Sequence, residues 1–170
     1  GTEDLTGMNL SEVDTIELAG DSEATVNVAQ AVKVTDPTTT GEYLIIDTAA
    51  HVDAQRQADV NVLLEAKGVG ATVQIQSNGE DLTLFPDLKG GALDRIDLND
   101  KTGVKLLADQ AIKVDTPNPL NGSFEIHDTQ SEIQDLIDGP SASKWQAASN
   151  IVTDSGAIQL SLQEADQYGS

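Results

Sequence analysis

Short segments in which apolar and polar residues alternate recur along this chain. In "DTIEL" (14–18) and "DRIDL" (94–98), Ile and Leu stand at every second position, with charged or polar residues between them. A period of two is typical of a strand that buries one face. The segments "LTLF" (82–85) and "IQLSL" (158–162) alternate in the same way. We therefore predict strands in all four segments, separated by turns rich in Gly, Asp, Asn and Ser.

Two longer segments favour helices, and a third favours a single helical turn. Good helix formers fill residues 49–66, and apolar residues recur at helical spacing within residues 132–137. Thr129, followed three residues later by Glu132, matches a capping box at the start of the second helix, and a Gly-Pro pair predicts its end. The third segment, "SASKWQAASN", is expected to bury Trp145.

The chain repeats itself at a distance of about eighty residues. The phrase "VDTIELAGDSEATVNVAQAVKV" (13–34) returns without a gap as "LDRIDLNDKTGVKLLADQAIKV" (93–114). The similarity continues from "GEYLIIDTAAHVD" (41–53) to "GSFEIHDTQSEIQ" (122–134), with one residue inserted. Repeats of this length are typical of stacked or tandem structural units. The sequence therefore predicts a lead-in at 1–12, a first repeat at 13–92 and a second repeat at 93–170.

Together these patterns predict a mainly β fold with short helices. Each repeat combines alternating strands with helical segments, and a weaker period of about forty residues divides it again. A repeat that cannot bury its apolar face alone shares a core with its neighbour. We therefore expect the two repeats to stack as a β-solenoid-like unit that forms one continuous domain.

Composition and charge exclude several classes of function. The 170 residues carry 29 acidic and 9 basic side chains, which give a formal net charge of −20. Such a chain repels nucleic acid and anionic membrane surfaces, and it has no basic stripe with aromatic residues that could stack bases. No apolar run reaches the length of a membrane span, so membrane insertion is not expected. The absence of cysteine excludes disulfides and thiolate chemistry.

The sequence contains no recognisable catalytic constellation, and we expect no enzyme. It lacks a nucleophile elbow, a phosphate-binding loop and a zinc-protease motif. His51 and His127 occupy different positions of the two repeats and have no partner at metal-ligand spacing, which favours structural roles. Asp47 and Asp128 occupy equivalent positions before predicted helices, where carboxylates commonly stabilise exposed N–H groups. We therefore interpret these two carboxylates as structural.

Calcium is the one cofactor that the sequence suggests. Hard cations bind clustered carboxylate and carbonyl oxygens, and acidic turns supply both. The candidate ligands lie in the turns "DLND" and "NGED" and are Asp97, Asn99, Asp100, Asn78, Glu80 and Asp81. Neither turn matches an EF-hand loop, so the alternative interpretation is that both are ordinary solvated turns.

The phrases "D-x-I-x-L" at 14–18 and 94–98 and "D-T-A-A-x-V" at 47–52 resemble the divergent repeats of large secreted bacterial surface proteins. Adhesins and S-layer-like proteins exported by type I systems carry such repeats, and the similarity touches about half of this chain. The resemblance implies an extracellular, non-enzymatic module for cell adhesion, biofilm matrix or surface-layer assembly, often with calcium. The glycine-rich calcium repeats that usually accompany these proteins are missing here.

The sequence is compatible with two functions. The first is a structural or adhesive repeat module at the cell surface, whose partners are neighbouring repeats, copies of the same protein or a surface polymer. The second is a ligand-binding module for a polysaccharide or a partner protein. Exposed aromatic residues in a groove would favour the second function, whereas we expect Tyr43, Phe124 and Trp145 to lie in the core.

Overall fold

The computed structural model describes residues 2–17, 23–35, 43–68, 71–88, 93–114, 122–154 and 156–158. These residues form two compact units. The first unit draws on residues 1–76 and 87–96, and the second draws on residues 77–86 and 97–170. Each unit therefore combines two separate stretches of the chain. The division into repeats at 13–92 and 93–170 stays a prediction.

The first unit is built on parallel strands with helices between them. Its strands are β1 (Thr2–Asp4), β2 (Ile16–Glu17), β3 (Glu23–Val26), β4 (Val34–Thr35), β5 (Tyr43–Asp47), β6 (Thr72–Gln76) and β7 (Arg95–Asp97), which runs to the unit boundary. Its helices are α1 (Val28–Ala31) and α2 (Ala49–Gly68). The main sheet has the order β1-β3-β5-β6-β7, and β2 pairs with β4 separately. The pairs β1–β3, β3–β5, β5–β6 and β2–β4 are all parallel.

The second unit has the same alternation of strand and helix on a smaller sheet. Its elements are a 3-10 helix (Leu82–Leu84), β8 (Val104–Leu106), α3 (Ala108–Ala111), β9 (Phe124–Asp128), α4 (Gln130–Asp138), α5 (Ala142–Gln146) and β10 (Asn150–Thr153). The sheet has the order β8-β9-β10, and both pairings are parallel. The two units therefore share the succession of strand, short helix, strand and longer helix.

The prediction of a mainly β, solenoid-like stack is wrong. The described residues form an α/β fold with parallel sheets of five and three strands, and no solenoid is found among them. Parallel neighbours need a crossover connection, which helices usually supply. Here the 20-residue helix α2 connects β5 to its parallel neighbour β6. Alternation along a strand indicates one buried face, but it does not indicate the direction of the neighbouring strand.

Two of the four predicted strands are present in shortened form. The segment 14–18 contains β2, and the segment 94–98 contains β7. The strand predicted at 158–162 lies outside the described residues, except for Ile158.

The strand predicted at 82–85 is wrong, because these residues begin a 3-10 helix. The side chain of Asp81 caps that helix, and its Oδ1 accepts the N–H of Thr83 at 3.1 Å. In a strand, Leu82 and Leu84 would lie on the same face. Instead Leu82 is buried and Leu84 is 73% exposed. The alternating pattern of residues 82–85 therefore belongs to a helical turn that buries one leucine.

The three helical predictions are confirmed. Helix α2 begins at Ala49, α4 covers the expected apolar positions, and α5 buries Trp145. Thr129 caps α4 as expected, and its Oγ1 accepts the N–H of Glu132 at 3.3 Å. Local capping and helical spacing were sufficient signals in these segments.

The main sheet of the first unit has one apolar face and one more polar face. The apolar face consists of alternate residues of β3, β5 and β6, all of them buried, and they are Ala24, Val26, Tyr43, Ile45, Val73 and Ile75. Helix α1 packs beside β5 and α2 against β6, so the helices cover the apolar face. Each large aliphatic side chain buried there contributes about 1.5–3 kcal/mol. Burial also raises the pKa of the Tyr43 hydroxyl above its ordinary value of 10.0. The opposite face carries Thr25, Ile46 and Gln76, which are half-buried or exposed, and Gln74, which is buried.

A close backbone approach in the second unit requires glycine at position 122. Gly122 has a φ of +105°, and a Cβ there would lie 2.1 Å from the carbonyl oxygen of Lys101. Gly103 also has a positive φ, of +67°, but a Cβ there would meet nothing within 4 Å. We predict that Gly122→Ala lowers the free energy of unfolding by about 3 kcal/mol or more. Gly103→Ala should lower it by about 1 kcal/mol. Urea denaturation measures both values, and equal losses would contradict the close approach at Gly122.

Candidate functional site

In the first unit, an aspartate at a strand end bonds the start of a short helix. Asp47 is the last residue of β5. Its Oδ2 accepts the N–H of Val28, the first residue of α1, at 3.1 Å, and its Oδ1 accepts the N–H of Thr48 at 2.8 Å. A helix of four residues is far shorter than the roughly 12 residues at which isolated helices become marginally stable. Helix α1 therefore depends on acceptors such as Asp47.

The second unit repeats this junction. Asp128 ends β9, and its Oδ2 accepts the N–H of Ala108, the first residue of α3, at 3.0 Å. Its Oδ1 accepts the N–H of Thr129 at 2.8 Å. These bonds confirm the interpretation of Asp47 and Asp128 as acceptors for exposed N–H groups. The helix whose first N–H they bind precedes the aspartate in the chain, whereas the sequence had suggested the helix that follows it.

A buried glutamine completes the junction of the first unit. Gln30 is only 4% exposed. Its Oε1 accepts the N–H of Asn27 at 2.9 Å, and its Nε2 donates to the carbonyls of Leu5 at 2.7 Å and Met8 at 3.2 Å. One side chain thus joins the start of α1 to the residues that follow β1.

Gln110 does the same in the second unit, where it is 1% exposed. Its Oε1 accepts the N–H of Leu107 at 3.0 Å, and its Nε2 donates to the carbonyls of Leu82 at 3.1 Å and Phe85 at 3.0 Å. The 3-10 helix is therefore tied to the start of α3. We call these four side chains the clamp residues, and they are Gln30, Asp47, Gln110 and Asp128.

Sequence reasoning missed the clamp because its backbone partners are remote in the chain. The carbonyls bonded by the two glutamines lie 22 to 28 residues away. They belong to "EDLTGM" (3–8) and "EDLTLF" (80–85), which begin with the same four letters. Helices α1 and α3 were missed as well, because four residues show no helical period. The shared "EDLT" and the paired glutamines were the signals that could have found this network.

The strand ends of the first unit surround a cavity of about 300 Å³, the strand-end cavity. Its lining residues come from β1, β3, β5, β6 and the turns after them, and they are Asp4, Thr6, Thr25, Ile46, Asp47, Thr48 and Gln76. Ligands commonly bind beyond the carboxyl ends of the strands in parallel sheets. Hydroxyls, one amide and two carboxylates dominate this lining, so the cavity suits a polar or cationic group.

Asp4 stands in this cavity at the carboxyl end of β1. Its Oδ1 accepts the hydroxyl of Thr6 at 2.7 Å and the N–H of Thr6 at 3.0 Å. These hydrogen bonds, the hydroxyl first, hold the pKa of Asp4 below its ordinary value of 3.8. Asp4 is therefore a carboxylate throughout the neutral range.

Both histidines bond carboxylates of their own unit. His51 Nδ1 lies 2.6 Å from Asp47 Oδ1, and His127 Nε2 lies 2.8 Å from Glu125 Oε2. His51 also lines a second cavity of about 340 Å³, beside the start of α1. The residues that line this second cavity offer no hydroxyl, thiol or amine nucleophile.

The first predicted calcium turn holds its polar groups in local bonds. Asp97 Oδ1 accepts the N–H of Asn99 at 2.9 Å, and Asn99 Nδ2 donates to the carbonyl of Ser77 at 3.3 Å. Asn99 and Asp100 have positive φ angles of 50° and 59°, which suit the short polar side chains found there. The bond to Ser77 brings this turn next to the second predicted turn.

The second predicted calcium turn also uses its carboxylates internally. Glu80 Oε2 accepts the N–H of Asn78 at 2.7 Å. Asp81 Oδ1 accepts the N–H of Thr83, and Asp81 Oδ2 lies 3.7 Å from Lys105 Nζ. In the described part of the chain, no group of three or more His, Asp or Glu side chains is placed to hold a metal ion. Calcium binding by these two turns stays a prediction.

Comparison with protein-family models, curated proteins and solved structures finds no match to this chain. Among the described residues, no helix combines the length and the apolar character needed to cross a membrane. No relative therefore lends this chain a fold or an activity.

The clamp glutamines should dominate the stability of their units. Gln110→Leu keeps the volume but leaves the N–H of Leu107 and the carbonyls of Leu82 and Phe85 without this partner. Because each buried polar group without a partner costs about 1–3 kcal/mol, we predict a loss of about 3 kcal/mol or more in the free energy of unfolding. The matched variant Gln76→Leu changes an exposed glutamine and should shift stability by about 0.5 kcal/mol or less. Thermal and urea denaturation measure both variants. A similar small effect for the two would show that Gln110 is not a clamp.

Proposed function

We propose that this chain is a non-enzymatic structural and adhesive repeat module of an extracellular surface protein. The observation that carries the proposal is the duplicated clamp. Gln30 and Asp47 in the first unit bond the backbone as Gln110 and Asp128 do in the second. The polar side chains that the two units share thus bond the backbone and stabilise the fold. A duplicated catalytic site would instead retain a nucleophile or an acid–base pair in both units.

The histidine–carboxylate pair that includes a clamp aspartate is not repeated in the second unit. His51 bonds Asp47 in the first unit. The residue at the equivalent position of the second unit is Glu132, four residues after Asp128. A chemical role for the Asp47–His51 pair would therefore be confined to one unit, which supports a structural account of the duplication.

Charge and cations would govern how such modules assemble. A net charge of −20 makes copies of this chain repel one another at low ionic strength. Divalent cations screen carboxylates and can bridge them. The proposed partners are neighbouring repeats, further copies of the protein and a cell-surface polymer, and calcium is the proposed cofactor of their assembly.

A ligand-binding role is the second candidate, and the strand-end cavity favours it. The aromatic residues Tyr43, Phe124 and Trp145 are 4%, 1% and 0% exposed, which confirms their expected place in the core. The cavity lining contains no aromatic ring on which a sugar could stack. Within this second candidate, a protein partner is therefore favoured over a polysaccharide.

Retention on defined surfaces tests the adhesive role. The purified chain is passed over one sensor that carries copies of itself and another that carries bacterial cell-wall polysaccharide, in chelator and in calcium. We expect retention that rises more with calcium than with magnesium at equal concentration, and no release of reducing ends from the polymer. Sodium chloride at the same ionic strength controls for simple screening. Hydrolysis of the polymer, or a failure to bind either surface in calcium, would contradict the proposal.

A further inference from the structure

The two units carry the same aspartate–threonine turn. In the first unit, Oδ1 of Asp4 accepts both the N–H and the hydroxyl of Thr6. In the second unit, Oδ1 of Asp81 accepts both the N–H and the hydroxyl of Thr83. These residues belong to the repeated "EDLT" phrases, and the clamp glutamine of each unit bonds the carbonyl of the leucine between them. Asp4 and Asp81 are therefore equivalent in sequence and in the bonds that their Oδ1 atoms accept.

The units differ at the strand residue beside this turn. In the first unit, Asp4 pairs in register with Thr25 of β3. The equivalent residue of β8 is Lys105, since "TV" at 25–26 aligns with "KL" at 105–106 in the gapless repeat. Lys105 Nζ lies 3.7 Å from Asp81 Oδ2. The second unit thus carries its own ammonium group at the place where the first unit has a short hydroxyl side chain.

Asp4 is left without an internal cation. Its Oδ2 makes no hydrogen bond or ion pair with any residue that the structure describes. A second carboxylate, that of Asp47, lines the same cavity, although its oxygens already accept the N–H groups of Val28 and Thr48 and one of them bonds His51. The hydroxyls of Thr6, Thr25 and Thr48 line the cavity as well. Among the described residues, the strand-end cavity therefore has one carboxylate oxygen, Asp4 Oδ2, without a cationic partner, and several further oxygen acceptors.

We propose that the strand-end cavity of the first unit binds the ammonium group of a lysyl side chain from a partner protein, in the position that Lys105 takes in the second unit. An ammonium group donates three hydrogen bonds, which Asp4 Oδ2 and the threonine hydroxyls can accept. Ile46 offers apolar contact to the aliphatic stem of the lysine. The strongly acidic chain also attracts basic partners over a distance.

A lysyl side chain fits these residues better than an amino sugar does. A sugar ring would need a stacking surface, and the lining has no aromatic residue. A lysine has an apolar stem of four carbons that can lie along Ile46. The proposal goes beyond the adhesive role and does not depend on it, because it concerns a soluble basic ligand and one cavity.

The first test is a titration with Nα-acetyl-lysine methylamide, followed by amide chemical shifts. We expect the amides of Thr6 and Thr25 to shift, and the affinity to fall with added salt. Asp4→Asn should weaken binding about fivefold, because it removes the acceptor charge of an exposed carboxylate. The matched variant Asp14→Asn removes the same charge from an exposed residue outside the cavity and should change binding by about twofold or less.

The second test exchanges the residues at the strand position where the units differ, Thr25 and Lys105. Thr25→Lys should supply an internal ammonium to Asp4 and weaken ligand binding about tenfold. Lys105→Thr alters an exposed residue and should open a second, weaker site, in which His127 stands at the position of Ile46, so that the amides of Thr83 and Leu106 also shift and the stoichiometry doubles. Circular dichroism confirms that each variant is folded before it is titrated.

Several results would overturn the proposal. Equal binding of the uncharged analogue Nα-acetyl-norleucine methylamide would show that the ammonium group is not recognised. Tighter binding of glucosamine than of the lysine derivative would assign the cavity to an amino sugar. Unchanged binding in Asp4→Asn, or no new site in a folded Lys105→Thr, would show that the aspartate–threonine turn is not the binding element.

Discussion

A carboxylate at the end of a parallel strand holds the start of a short helix in each unit of this protein, and the rest of the unit depends on that contact. Helices α1 and α3 have only four residues each, too few to be stable by themselves. Asp47 and Asp128 each accept the first N–H of one of these helices. Gln30 and Gln110 lie within the helices, and their side chains donate to backbone carbonyls of segments that come earlier in the chain. Strand, helix and preceding loop are thus joined by two side chains.

The sequence predicted those elements whose signals are local. The spacing of apolar residues and the Thr129 cap predicted α4, and the composition of residues 49–66 predicted α2. The sheet architecture could not be predicted in this way, because a period of two does not indicate whether neighbouring strands are parallel. The leucines of 82–85 illustrate the same limit, since their alternation fits a strand and a helical turn equally well until the burial of each is known.

The candidate site was harder to predict, because its contacts are long-range. Asp47 was singled out as an N–H acceptor, but its partner Val28 lies 19 residues earlier in the chain. The acidic turns were singled out for calcium by composition alone. In the structure, the carboxylates of Asp97, Glu80 and Asp81 each accept an N–H of their own turn. These bonds stabilise the turns, and calcium binding by the turns stays a prediction.

The two units repeat the clamp but differ beside the aspartate–threonine turn. The clamp residues are the same in both units, whereas the strand position beside the aspartate–threonine turn changed from threonine to lysine. This position lies on the more polar side of its sheet, where a substitution does not disturb the core. The fold thus tolerates an ammonium group beside the aspartate–threonine turn of one unit and a threonine at the same position of the other.

Hydrogen exchange of individual backbone amides tests the clamp most directly. The amides of Asn27 and Val28 in the first unit, and of Leu107 and Ala108 in the second, are bonded by clamp side chains. The account predicts that all four exchange as slowly as the amides of β5 and β9, and to a similar degree in the two units. Exchange at the rate of exposed loop amides, or protection in one unit alone, would contradict it.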